Sequence, residues 1–169
     1  REKLGVEVEA LDVAPFEQIG DDGTKRYLEL GKARRLIKRP DAPVKVFFCA
    51  HLDTVFAIDH PFQQVRWLDE HTLNGPGVTD LKGGILVLLN ALQALERSPW
   101  AERIGWEILF NPDEEIGSGG SAPLIAEAAT RCQLGLIYEP CFADGNLAGA
   151  RKGSGNFSGV FDNHRFEFH

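Results

Sequence analysis

Methionine is absent from these 169 residues, and cysteine occurs only three times. With no initiator and an abrupt close at Phe166-Glu167-Phe168-His169, the sequence reads as part of a longer chain. Cys49, Cys132 and Cys141 form no C-x-x-C pair and no even framework, which argues for a reducing compartment and a cytoplasmic location. No apolar run approaches the ~20 residues that cross a bilayer, so no membrane partner is expected. Arg1-Glu2-Lys3-Leu4 lacks the apolar stretch of a signal peptide. Positive charge is in the minority, 18 Lys and Arg against 25 Asp and Glu, for a formal charge of -7. That balance repels phosphate backbones and argues against nucleic acid. The G-x-x-x-x-G-K-[ST] phosphate loop and the G-x-S-x-G nucleophile elbow are both missing, although Ser118 and Ser121 lie in a Gly-rich stretch.

What is present suits one domain of ordinary size, 43% hydrophobic and able to bury a core. Apolar and acidic residues alternate over positions 6–11, a half-buried strand. Gly20-Asp21-Asp22-Gly23 signals a turn, with a short returning strand at 27–30. The run at 44–49 is rich in β-formers and predicts a buried central strand, with Cys49 as a small core residue. Ile85, Leu88, Leu89, Leu92 and Leu95 recur at helical spacing over 82–97, and Pro99 ends that helix. Further strands are expected at 104–110, 134–138 (buried), 147–151 and 155–161. A second helix is expected at 122–131, with Pro123 in its first turn. Strand, helix, strand, helix, strand predicts an α/β fold with a mostly parallel central sheet. Ligands gather at the carboxyl ends of such strands.

The polar residues of interest fall at those ends. His51 and Asp53 follow the first central strand; an imidazole there can ligate a metal while Asp53 fixes its tautomer, or His51 is simply capped by a local carboxylate. Asp80, inside Gly75-Pro76-Gly77-Val78-Thr79-Asp80-Leu81-Lys82-Gly83-Gly84, is either a helix N-cap or a carboxylate that bridges two metals. Asp113-Glu114-Glu115 places three acids side by side after the next strand, costly near a core unless cations balance them. One of those acids can ligate while its neighbour serves as general base, or the loop is merely acidic and solvated. Glu139 follows the third strand. Imidazole plus carboxylates suits zinc, cobalt or manganese better than a soft thiolate site.

Taken together, Cys49-Ala50-His51-Leu52-Asp53-Thr54-Val55, the Gly75–Gly84 loop, Phe110-Asn111-Pro112-Asp113-Glu114-Glu115-Ile116-Gly117-Ser118 and Glu139-Pro140 resemble the co-catalytic zinc aminoacylase and carboxypeptidase superfamily. Its members include glutamate carboxypeptidase, acetylornithine deacetylase and succinyl-diaminopimelate desuccinylase. The match spans about 44–157 and is nearest the glutamate carboxypeptidase-like branch. The resemblance implies that His51 and Glu139 bind one zinc, Glu115 the other, and that Asp80 bridges both. Glu114 would take a proton from water and pass it to the leaving nitrogen, Asp53 would orient His51, and the Asp80-Leu81 peptide would be cis. It implies hydrolysis of amide bonds in N-acyl amino acids or small peptides. It also implies an inserted lid and dimerisation domain that makes the parent a homodimer and is followed by a further histidine ligand. Residues 1–151 then belong to the catalytic domain and 152–169 to the start of the lid. Arg151-Lys152-Gly153-Ser154-Gly155-Asn156-Phe157 looks like its first segment. The residues after Phe157 depart from the family pattern, and neither His164 nor His169 is taken for the later ligand. Two rival readings remain: a truncated piece that folds and binds metal without turnover, and an acidic binding module with no metal.

Overall fold

The computed structural model describes residues 4–20, 22–142 and 144–147. Its elements are β1 (Glu9–Leu11), β2 (Phe16–Ile19), β3 (Lys25–Leu28), β4 (Ala33–Lys38), β5 (Val44–His51), β6 (Arg66–Trp67), β7 (Leu73–Asn74), α1 (Gly84–Glu96), β8 (Ile104–Asn111), α2 (Ala122–Arg131) and β9 (Leu134–Ile137). The strands expected at 147–151 and 155–161, the segment 151–157, His164, His169 and the proposed division after 151 lie outside the described residues.

Five strands form one sheet in the order β1-β4-β8-β5-β9. β5 pairs in parallel with both β8 and β9, whereas β4 runs antiparallel to β8 and β1 antiparallel to β4. The α/β class holds, but the sheet is mixed rather than mostly parallel. The reason lies in the connections. A parallel pair needs a long crossover, usually a helix, and among the described residues only α1 and α2 supply one. Residues 12–32 carry the β2–β3 hairpin instead of a helix, so the first part of the sheet is antiparallel.

Side-chain alternation distributes the core over two faces. Val46 and Phe48 of β5, Trp106 and Ile108 of β8 and Leu36 of β4 pack on Leu88 and Leu92 of α1. Phe47, Leu109 and Ala33 pack on Ala128 of α2 from the other side. One helix therefore covers each face of the central strands. β9, expected to be buried, is exposed along its whole length. It lies at the end of the strand order, beyond the central strands that the two helices cover. Cys49 is likewise only half-buried. The stretch Val78–Glu96 has the length and apolarity of a bilayer span, against the sequence expectation. It is interrupted at Asp80 and Leu81, and its continuous α-helix is only 13 residues long.

α1 is locked to the sheet by Glu96, its last residue. The carboxylate accepts hydrogen bonds from Arg39 Nη1 at 2.9 Å and Trp106 Nε1 at 2.9 Å, and lies 2.7 Å from Lys38 Nζ. The Arg39 hydrogen bonds, aided by Lys38 and Trp106 and opposed by burial, hold its pKa down from 4.5 to about 2. The ionised group thus stabilises the folded state fully above its ordinary pKa, and the contribution is lost as the pH falls toward 2. Glu96→Gln should lower stability by about 1–3 kcal/mol near neutrality, and the loss should shrink steadily below about pH 4.5. Urea unfolding of both proteins across that range checks this.

Candidate metal centre

Parallel pairing places the ends of β8, β5 and β9 next to one another, with His51 opposite Asn111 and Cys49 opposite Ile137. The polar residues that follow each strand are therefore neighbours in space.

His51 closes β5 and is 2% exposed. Its Nδ1 lies 3.1 Å from the Asp53 carbonyl oxygen and 3.4 Å from Asp53 Oδ1. A proton on Nδ1 satisfies both, which leaves the Nε2 lone pair facing Asp80 Oδ1 at 2.8 Å. Two acceptors this close require a proton or a cation between them. Burial works against protonation of His51, yet the Asp80 hydrogen bond and the charges of Asp53 and Glu139 prevail and raise its pKa.

Asp80 sits in the irregular turn Val78–Gly83, where its backbone (φ -111, ψ 98) and that of Leu81 leave helical geometry. The Asp80-Leu81 peptide is cis, as the resemblance implied. Leu81 is 1% exposed and anchors the turn in the core, while the Asp80 side chain stays half exposed. The preceding glycine loop is tied down by Lys82, whose Nζ donates to the Pro76 carbonyl at 2.8 Å.

Glu114 and Glu115 lie in a single helical turn, Glu114–Ile116, just after β8. The Asp53 carboxylate accepts both of their backbone N–H groups, from Glu114 at 3.2 Å and Glu115 at 2.9 Å. Asp53 thus serves the imidazole through its carbonyl and the two acids through its carboxylate. The run of three acids divides in the fold. Asp113 turns inward, fully buried, and accepts the N–H groups of Gly120 at 2.8 Å and Ser121 at 3.0 Å. The buried Asn111 amide lies beside it and donates to Ser118 and Ser121 hydroxyls, each at 3.2 Å. Sequence reasoning did not separate Asp113 from its neighbours, nor single out Asn111. The glycines and serines at 117–121, whose N–H and hydroxyl groups receive them, were the available signal.

Glu139 follows β9 by one residue beyond Tyr138. A Cβ on Gly84 would stand 2.0 Å from the Tyr138 carbonyl oxygen, so glycine there lets the start of α1 approach the base of Glu139.

Two groups of donor atoms result, His51-Asp80-Glu115 and His51-Glu114-Glu139, each with all its atoms within 4.8 Å of one another. Burial, then the neighbouring charges of Asp80 and Glu114, raises the pKa of Glu115. Burial, then Glu114 and Asp80, does the same to Glu139. Carboxylates that hinder one another's ionisation around an imidazole lone pair are what a divalent cation relieves, so the donor set fits one. The Cys49 thiol is pushed up to about 11, first by burial, and is no nucleophile near neutrality.

The matching family model is Peptidase family M20/M25/M40, over residues 47–158, and the chain belongs to that family. Carboxypeptidase G2 from Pseudomonas sp. (strain RS-16) is 35% identical over 94 residues, covering 56% of this chain and 23% of that protein. Human carnosine dipeptidase 1 shares the fold with a TM-score of 0.59 and 21% identity, over 82% of this chain and 30% of that one. The di-peptidase Dug1p from Saccharomyces cerevisiae gives 0.56 and 20%, over 79% and 29%. The chain therefore spans less than a third of the length of each.

Replacing Asp53 by Asn removes a carboxylate from between two N–H groups. It should weaken zinc binding by about 10–100-fold and speed amide hydrogen exchange at Glu114 and Glu115, as read by calorimetry and NMR.

Proposed function

We propose that this chain carries the greater part of the metal site of a zinc-dependent hydrolase, one that cleaves amide bonds in N-acyl amino acids or small peptides. The observation that carries the reading is that His51 meets Asp80 and Glu115 in one donor group and Glu114 and Glu139 in another, where three adjacent strand ends come up against the turn into α1. In this reading, which follows the family resemblance, His51 and Glu139 would hold one zinc, Glu115 the other, and Asp80 would contribute to both; cobalt or manganese fits the same donors. Such ions, when bound, supply the positive charge that acidifies water and polarises a carbonyl.

The chain's own residues do the rest. Glu114 is exposed, with Oε2 4.0 Å from His51 Nε2, and although its carboxylate stands with His51 and Glu139 in one donor group, this reading keeps it free of metal to act as the base. Its carboxylate accepts the proton that water gives up on attacking the carbonyl carbon. It then returns that proton to the nitrogen as the C–N bond breaks. Asp53 holds the turn that aims Glu114 and keeps the His51 ring in place. The carboxypeptidase and dipeptidase names of the relatives support a substrate with a peptide-type bond. Because the chain covers under a third of those relatives, turnover is proposed for the whole protein and metal binding for this chain. A lid beginning at 152, homodimer formation through it and a further histidine ligand belong to the same proposal and rest on the family resemblance.

Glu114→Gln in the whole protein should cut kcat about 10²–10⁴-fold while zinc content by elemental analysis stays at the wild-type level. Turnover that survives this change contradicts the assigned mechanism. Chelation of the wild-type chain should lower its thermal midpoint, because four converging donors lose their counter-charge.

A further inference from the structure

The turn that carries Glu114 and Glu115 runs directly into Ser118, whose backbone is left-handed at φ +56. Among the described residues only Arg39 shares a positive φ without being glycine. Glycine adopts this conformation at no steric cost, and the neighbouring Gly117 does so at φ +96. A serine in its place carries backbone strain, which persists only where the surrounding contacts enforce it. Resting on the hydrolase reading, we propose that Ser118 is a positioning residue for the metal centre: its hydroxyl, acting through the Asn111 amide, holds the Glu114–Glu115 turn against the end of β5.

The hydrogen bonds close a ring around that turn. At its start the Asp53 carboxylate accepts the Glu114 and Glu115 N–H groups. At its end Ser118 Oγ accepts a hydrogen bond from Asn111 Nδ2 at 3.2 Å. Asn111 stands opposite His51 in the parallel pair of β5 and β8, and its backbone carbonyl accepts the Leu52 N–H at 2.9 Å. Asp53 and Asn111 thus tie the two ends of the turn to one short stretch, His51-Leu52-Asp53. Between these anchors the turn is closed by its own backbone. The Gly117 N–H donates to the Glu114 carbonyl at 2.8 Å, and the Ser118 N–H to the Asp113 carbonyl at 2.7 Å.

Burial gives the Ser118 contact its weight. Asn111 is 1% exposed, and its Oδ1 has no partner among the described residues, so the nitrogen alone orients the amide. That nitrogen reaches the Ser118 and Ser121 hydroxyls at 3.2 Å, and Asp113 Oδ1 only at 3.5 Å. Removing the Ser118 hydroxyl takes away one of the two closer acceptors and frees the end of the turn from β8. The Ser118 carbonyl also accepts the Ala122 N–H at 2.8 Å, so the same residue joins the turn to α2. Supports of this kind raise metal affinity by restricting where a ligating carboxylate can go.

The test compares two variants that both lack the hydroxyl but treat the backbone in opposite ways. Ser118→Gly relieves the left-handed strain and should leave the urea midpoint unchanged or raised. Ser118→Ala keeps the strain and should lower it. Zinc affinity of the chain, read by calorimetry, should nevertheless fall about tenfold or more in both. Wild-type affinity in either variant overturns the proposal: retention in Ser118→Gly marks a purely backbone role, and retention in Ser118→Ala marks loop stiffness rather than the hydroxyl. Should the wild-type chain take up no zinc, the hydrolase reading fails by itself, and Ser118 is then judged on the metal-free chain by NMR. There the Glu115 amide should exchange at least about tenfold faster in both variants than in the wild type, and unchanged exchange in either overturns the brace as well.

Discussion

Parallel hydrogen bonding of Val44–His51 with Ile104–Asn111 on one side and Leu134–Ile137 on the other aligns three strand ends, about 4.8 Å from neighbour to neighbour. Each of those strands is then followed within a few residues by a ligand-type side chain. The first site residue on each segment is set by where its strand stops, and α1 and α2 exist in the fold because parallel strands need crossovers. Asp80 alone arrives from outside the sheet, on the turn into α1. The close approach of Gly84 to the Tyr138 backbone is what brings that turn against the third strand end. Sheet pairing and one glycine contact thus assemble donors that lie 88 positions apart in sequence at their extremes, His51 and Glu139.

Convergence of this kind is electrostatically unfavourable for the bare polypeptide, and the structure shows how the strain is distributed. Asp113 is withdrawn into a buried network of Gly120, Ser121 and Asn111, so it adds hydrogen-bond order without competing for the site. Asp53 points its charge at two backbone N–H groups. What remains unbalanced is a set of carboxylates around a histidine lone pair, where burial first and the neighbouring acids second raise the pKa values of Glu115 and Glu139. Backbone donors stabilise Asp53 and Asp113, whereas the carboxylates proposed as ligands have no such donors among the hydrogen bonds of the described residues.

Much of this was legible in the sequence because it rests on local signals. β5, β8, α1 and α2 follow from apolar runs and helical periodicity, and their ends fall within a residue or two of where the pattern stops. The placement of His51, Glu114, Glu115 and Glu139 at strand ends, and of Asp80 just before a helix, is legible in the sequence as a candidate site. β4 was not legible: three of its six residues are cationic, and it is a strand only because Arg35 can pair with Glu9 and because Ala33 and Leu36 reach the two cores. β6 and β7 are two-residue pairs with no periodicity to read. The exposure of β9 depends on its place at the sheet edge, a tertiary fact invisible in Leu-Gly-Leu-Ile. The double use of Asp53 was hidden for the same reason, since its carboxylate acts on residues 61 and 62 positions away.

The central claim is that His51, Asp80, Glu115 and Glu139 share a metal cluster. Diffraction from crystals of this chain grown with zinc, recorded on both sides of the zinc absorption edge, tests it most directly. The account predicts anomalous density among those four side chains, in contact with His51 Nε2 and the Asp80 carboxylate. Density absent from that position, or found only at other surface residues, would contradict it.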